Sequence, residues 1–238
     1  MLEALARAAA DLALAKPDVI VALSARWNTP GPFRVDDGAR HRTLTDYSGF
    51  GVEVRYDCEG QPSLARAAIE AARAAGLRAA AASHGADSGI TVPLHFLSPA
   101  GRLPVVPLSL PAADADTCRR WGDVLRGVLE EWPGRAAFIV GGLLSCNEHA
   151  WNLKREVPEA TAFDQATLQA IERGAWEEIV VSNRAVRGRA RPEAGLRHLQ
   201  VMRGFAGDAV RGVVRCYEGS NGMGAALIEF PLAARGGT

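Results

Sequence analysis

The run Asp18-Val19-Ile20-Val21-Ala22-Leu23 narrows what this chain can fold into more than any other stretch. Strands covered on both faces read as short continuous apolar runs, whereas half-exposed strands alternate, so this run predicts a buried strand of an α/β sheet. A helix precedes it, because Leu2, Leu5, Ala9 and Leu12 fall on one helical face and Pro17 stops the pattern. Beyond the run comes Ser24-Ala25-Arg26-Trp27. It reads as the C-terminal tip of the strand, where α/β proteins gather ligand-binding groups, and it places a permanent cation, Arg26, there.

Length and composition fit one compact domain, residues 1–238: 48% of the residues are hydrophobic, and 27 Lys+Arg balance 27 Asp+Glu. A formally neutral chain has no net field to hold nucleic acid or an anionic membrane, so neither is an expected partner, although Arg184 to Arg191 is locally basic. Cys58, Cys118, Cys146 and Cys216 are widely spaced without a CxxC pair, which argues against a zinc ribbon, a thioredoxin-like site or a disulfide scaffold. No apolar run approaches the ~18 residues of a membrane span, and Arg7 and Asp11 interrupt any leader-like segment, so the expected compartment is the cytoplasm.

Helical and strand periods then alternate. Gly31 to Gly51 is rich in turn residues and predicts an excursion out of the sheet, with Val52 to Tyr56 returning as a short strand. Pro62 opens an Ala-rich helix that ends near Gly76. Leu77 to Ala82 is weakly strand-like, Leu103 to Leu110 is a better strand, and Ala113 to Glu131 is a helix ending at Trp132-Pro133-Gly134. Arg135 to Val140 predicts another buried strand, Ala160 to Val181 a helix, and Pro192 the start of a further helix that Gly204 and Gly207 end. Val210 to Tyr217 and Met223 to Phe230 flank Ser220-Asn221-Gly222, a hairpin by its Asn-Gly turn. The order of elements implies an α/β fold: a single domain with a central mixed sheet, helices on both faces and a C-terminal β-hairpin.

Several fragments, taken in order, carry a resemblance: Ser24-Ala25-Arg26-Trp27, Asp46-Tyr47-Ser48-Gly49-Phe50, Asp87-Ser88-Gly89-Ile90-Thr91-Val92-Pro93-Leu94, Pro104 to Leu110, Gly141-Gly142-Leu143-Leu144-Ser145, Pro192-Glu193-Ala194-Gly195-Leu196-Arg197, and Tyr217-Glu218 followed by Gly222-Met223-Gly224. Together they resemble the class III (LigB-type) extradiol ring-cleavage dioxygenases, above all the branch similar to DOPA dioxygenase. The resemblance implies a non-haem Fe(II) enzyme that opens catecholic rings with dioxygen, its metal held by two His and one carboxylate so that catecholate and O₂ find open positions.

The positions that carry this chemistry depart from the pattern. The first His ligand of the family lies on a strand ahead of the first helix, and this chain begins with that helix. The second falls on Arg26, whose guanidinium has no lone pair for a metal. Ser88 stands where a pocket His is usual, and Cys146 where the acid/base His is usual. Of the implied ligands only the carboxylate, Glu193, remains. A closed-in carboxylate without its cation needs a partner, and at ~4 Å an ion pair gains about 4 kcal/mol at an effective dielectric near 20 before desolvation, so the expectation is an Arg26–Glu193 pair in the metal's place.

Read without the resemblance, Glu193 is a first-turn carboxylate with Arg197 four residues on, Arg26 a solvated strand-end charge with Trp27 beside it to stack on it or wall a pocket, and Cys146 a small buried residue. His41 and His198 read as surface or helix-face histidines. His84, Asp87, His95, Glu148 and His149 are the donors left to rebuild a metal site, with Glu148-His149 in the loop after Cys146.

Two function classes follow. One is a homologue without ring-cleaving activity of its own and with no expected cofactor. It would work as a scaffold or partner of a homologous catalytic subunit or as a homo-oligomer, or would bind a small aromatic carboxylate with Arg26, Trp27, Ser88, Cys146, His149 and Glu193 as pocket residues. The other is an active Fe(II)-dependent extradiol dioxygenase with a displaced ligand set drawn from Glu193, His149 and His84.

Overall fold

A computed structural model describes residues 1–46, 54–99, 101–180 and 184–232. The chain divides into two compact units, one of Leu2–Gly142 with Arg197–Phe205, the other of Met1, Leu143–Leu196 and Ala206–Thr238.

The first unit begins with α1 (Leu2–Ala15) and β1 (Val19–Ser24), every residue of which is buried. There follow β2 (Phe33–Asp36), the short antiparallel pair β3 (Arg40–His41) and β4 (Cys58–Glu59), α2 (Pro62–Ala74), β5 (Ala79–Ala82), α3 (Ser88–Leu97), β6 (Val105–Leu108), α4 (Ala115–Glu131) and β7 (Ala136–Gly141). The five-stranded sheet runs β5-β2-β6-β1-β7. β1 is parallel to β6 and β7, β2 is parallel to β5, and β2 meets β6 antiparallel at Val35↔Leu108, so the sheet is mixed. Leu23, Leu108 and Val140 lie in register, which brings the C-terminal ends of three strands together. Because side chains alternate along a strand, Ile20, Ala22, Val105, Ala137 and Ile139 face one way, onto Ile90 and Leu94 of α3. Phe138 and Phe33 face the other, onto Phe205 of α9 (Arg197–Ala206) at 4.3 Å and Trp121 of α4 at 5.1 Å between ring centroids.

The second unit holds α5 (Glu148–Asn152), α6 (Pro158–Arg173), α7 (Trp176–Val180), α8 (Arg184–Ala190), a 3-10 turn at Glu193–Leu196, and the hairpin β8 (Val213–Ser220) and β9 (Met223–Glu229). Asn221 and Gly222 both take positive φ, 49° and 79°, as the twist of a two-residue hairpin turn requires.

The mixed α/β sheet and the closing hairpin match the expectation from sequence, and five local expectations are corrected. Phe33–Asp36 is not an excursion but a strand of the central sheet: a four-residue strand between Gly and Asp-Gly turns carries too little period to read. Val54 to Tyr56 forms no strand, pairing instead beginning at Cys58, and Val52 lies outside the described residues, as does Tyr47 to Phe50. The helix expected over 160–181 ends at Gly174, whose φ of 71° caps α6 in the left-handed region. Pro192 does not open a regular helix, because Ala194, Gly195 and Leu196 are successively left-handed, φ 47°, 62° and 60°. β7 is half-buried as the sheet's edge rather than fully buried.

Candidate functional site

The tip of β1 is organised by one hydroxyl. Ser24, fully buried, donates from Oγ to Asp87 Oδ1 at 2.6 Å and accepts the backbone N–H of Arg26 and Trp27 at 3.1 and 3.3 Å, so the chain turns as it leaves the sheet. Asp87 caps α3 through the Gly89 N–H at 3.0 Å. Its Oδ2 holds His84 Nε2 at 3.0 Å, and the His84 ring lies on the Trp27 indole with centroids 4.1 Å apart and planes 4° apart. A Cβ at Gly89 would come within 2.2 Å of Ser24 Oγ, and one at Gly141 within 1.7 Å of the Gly89 carbonyl oxygen, so only glycine lets these backbones approach.

Arg26 leads out of this corner. Its Nε stands 3.8 Å from Asp46 Oδ2, with 29% and 24% of the two side chains exposed. Asp46 also accepts from Ser88 N–H and Oγ–H, each at 2.9 Å, so the expected pocket residue Ser88 is tied to a carboxylate. Trp27 is buried, and its partner is His84. Behind the corner, Asp36 accepts the N–H groups of His84, Gly85 and Gly38 at 2.7, 2.8 and 3.0 Å and lies 3.3 Å from His41 Nδ1. Burial pushes the Asp36 carboxyl up, but the hydrogen bonds from His41 and the three amides outweigh it and hold the group well below the usual carboxylate range.

Glu193 belongs to the other unit. It is buried, accepts the Leu143 N–H at Oε2 at 2.5 Å, and donates its own N–H to the Leu144 carbonyl at 3.1 Å. Cys146 is half-buried, its N–H shared between the Ala190 and Arg191 carbonyls. Glu148 and His149 are exposed and lie on the short helix α5 rather than in a loop. Arg26 belongs to the first unit and Glu193 to the second.

Two histidines differ from expectation. His41 is buried, its Nε2 at 3.1 Å from the Val105 carbonyl. His198 is buried too, and burial, with the Arg197 charge, lowers its pKa to about 4, so it is neutral at physiological pH. The sequence reading also missed a cluster in the second unit. Asp164 of α6, with no exposed surface, accepts Ser145 Oγ–H at 2.7 Å and Tyr217 Oη–H at 2.9 Å on Oδ2. The signal was present: Asp164 lies within the stripe Ala160, Phe163, Thr167, Leu168, Ile171 that α6 buries.

Iron of the implied kind needs three converging donors. Among the described residues no three His, Cys, Asp or Glu side chains gather to hold a metal ion.

An α/β unit whose parallel strand tips meet a capped helix defines a ligand-binding architecture rather than a particular chemistry. Residues 1–230 match the family described as the catalytic LigB subunit of aromatic ring-opening dioxygenase. The chain belongs to the LigB family. Among its relatives is "Dioxygenase tasH" of Hapsidospora irregularis, 30% identical over 165 residues, an alignment that covers 66% of this chain; the chain spans about half of that relative, 50%. The crystal structure of the uncharacterized protein JW3007 from Escherichia coli K12 shares the fold, with a TM-score of 0.72, 18% identity, and coverage of 94% of this chain and 91% of that one.

Proposed function

We propose that this LigB-family protein does not open aromatic rings by itself and acts as a non-catalytic partner of a ring-opening homologue or as a binder of small aromatic carboxylates. The observation that carries the reading is Arg26: a cation stands at the strand tip where the family resemblance puts a metal-binding imidazole, ion-paired there with Asp46. The partially exposed guanidinium supports carboxylate binding, since a charged fork matches a carboxylate in two hydrogen bonds. The family's description as a subunit supports assembly with another subunit, while its description as the catalytic one favours the alternative on activity. The alternative, an active Fe(II) dioxygenase using Glu193, His149 and His84, draws on the name of the Hapsidospora relative.

Anaerobic purification with added Fe(II), followed by metal analysis and oxygen uptake with a panel of catechols, separates these readings. The expected result is sub-stoichiometric iron and no uptake; stoichiometric iron with turnover overturns the proposal. In calorimetric titrations with benzoate-type acids, Arg26→Gln is expected to weaken binding by about ten- to a hundredfold, the worth of a charge-assisted hydrogen bond of ~1.5–3 kcal/mol. Equal affinity in wild type and variant removes Arg26 from the binding role.

A further inference from the structure

The segment after β7 is gripped from two sides within the second unit. On one side, Leu144 N–H donates to the Gly224 carbonyl at 2.9 Å, Gly224 N–H to the Ser145 carbonyl at 3.1 Å, and Asn147 N–H to the Gly222 carbonyl at 2.9 Å. On the other, Glu193 and Cys146 are tied to Leu144 and to Ala190 and Arg191. Beneath this ladder, Asp164 joins it to α6. Its Oδ2 takes Ser145 from the segment and Tyr217 from β8, while the Gly224 backbone of β9 runs so close that a Cβ there would lie 1.8 Å from Oδ2. The other oxygen, Oδ1, is buried and has no hydrogen-bond partner.

That orphan oxygen decides which form of the acid suits the docked state. As a carboxylate, Asp164 leaves part of a full charge on an oxygen with no hydrogen-bond donor, which is costly in a buried setting. As a neutral acid it leaves only a carbonyl oxygen unpaired, while Oδ2–H donates to Ser145 Oγ and still accepts from Tyr217. Among the described residues, Arg189 of α8 pairs with Glu159, Glu178 of α7 with Arg173, Arg215 of β8 with Glu229 of β9, and Glu218 of β8 with the Met1 ammonium, while Arg187 of α8 is exposed.

We infer that Asp164 is a proton-operated latch: protonated, it clamps the hairpin and the 143–147 segment onto α6, and ionised, it loosens both together with Cys146 and Glu193, which are tied to that segment. In agreement with the geometry, burial, opposed only by the hydrogen bonds of Ser145 and Tyr217, raises the Asp164 pKa to about 6. A carboxyl whose docked-state pKa lies above its free value of 3.8 favours docking most at low pH, and the advantage is lost as pH rises through about 6.

Hydrogen exchange of the full chain, corrected for intrinsic rates, reads this directly. The opening constant at the Leu144, Asn147 and Gly224 amides is expected to rise up to about a hundredfold between pH 4 and pH 7.5, the span of two pKa units, with β1 amides as an unmoved reference. Asp164→Asn is expected to remove the pH dependence. Wild-type exchange that is flat across this range, or a variant that keeps the dependence, overturns the latch. Should Asp164→Asn fail to fold, carboxyl ¹³C titration of the wild type still decides: a midpoint near 6 supports the latch, and one below about 4.5 overturns it.

Discussion

Replacing Asp36 with alanine is expected to cost about 3–5 kcal/mol in urea denaturation at pH 7, the range seen when one member of a buried, charge-bearing network is removed. Three backbone donors, at His84, Gly85 and Gly38, converge on this carboxylate, His41 stands against it, and only 3% of the residue is exposed. Alanine leaves all of them without their acceptor in a place water does not reach. The pH dependence has a fixed sign. Because the folded-state pKa lies below 3.8, the Asp36 contribution is complete at neutral pH and declines as pH falls below about 4. The gap between wild type and Asp36→Ala should therefore narrow in acid. A gap under 1 kcal/mol at pH 7, or one that widens on acidification, contradicts this account.

Gly122→Ala and Gly204→Ala should each lower stability by about 3 kcal/mol, against the ~1 kcal/mol that alanine ordinarily gains over glycine inside a helix. Gly122 of α4 would place its Cβ 1.9 Å from the Val201 carbonyl oxygen, and Gly204 of α9 would place one 1.8 Å from that of Arg119. The two helices touch backbone to backbone, so no side chain can swing aside to make room. Gly127, also on α4, is the internal control: nothing lies within 4 Å of a Cβ there, and Gly127→Ala should stabilise by up to ~1 kcal/mol. Thermal melts of the three variants test it, since ~3 kcal/mol corresponds to roughly 6–12 °C in a chain of this size. A Gly122→Ala melt that matches wild type would mean that the helices are free to separate.

Elements whose stability is written locally were legible. The β1 run is apolar because it is covered on both faces, α2 carries Pro62 in its first turn, and the Asn221-Gly222 pair forces its own turn. What escaped depends on distant partners. β2 is a strand because Val35 finds Leu108 and Phe33 finds Trp121, and nothing within Phe33–Asp36 announces either. α3 was hidden by its continuous apolar composition and by Pro93, although the Asp87 cap before Gly89 was a usable signal. At the candidate site, Arg26 and Glu193 could be singled out from the resemblance, but their neighbours could not: Asp46 reaches back to Arg26 and forward 42 residues to Ser88, and Ser24 meets Asp87 and His84 only once β1 and α3 have packed. His198 was read as an ordinary helix-face residue because its burial depends on packing that a single helix does not reveal.

The flat contact between the Trp27 indole and the His84 imidazole also gives the protein an intrinsic optical probe. A protonated imidazole against an indole quenches its emission, and a neutral one does so far less. Any ion or small acid that draws His84 away from Asp87, or changes its charge, would therefore alter Trp27 fluorescence. Occupancy of the strand-end corner can be followed in the unlabelled protein, with a Trp27→Phe variant identifying the signal among the five tryptophans.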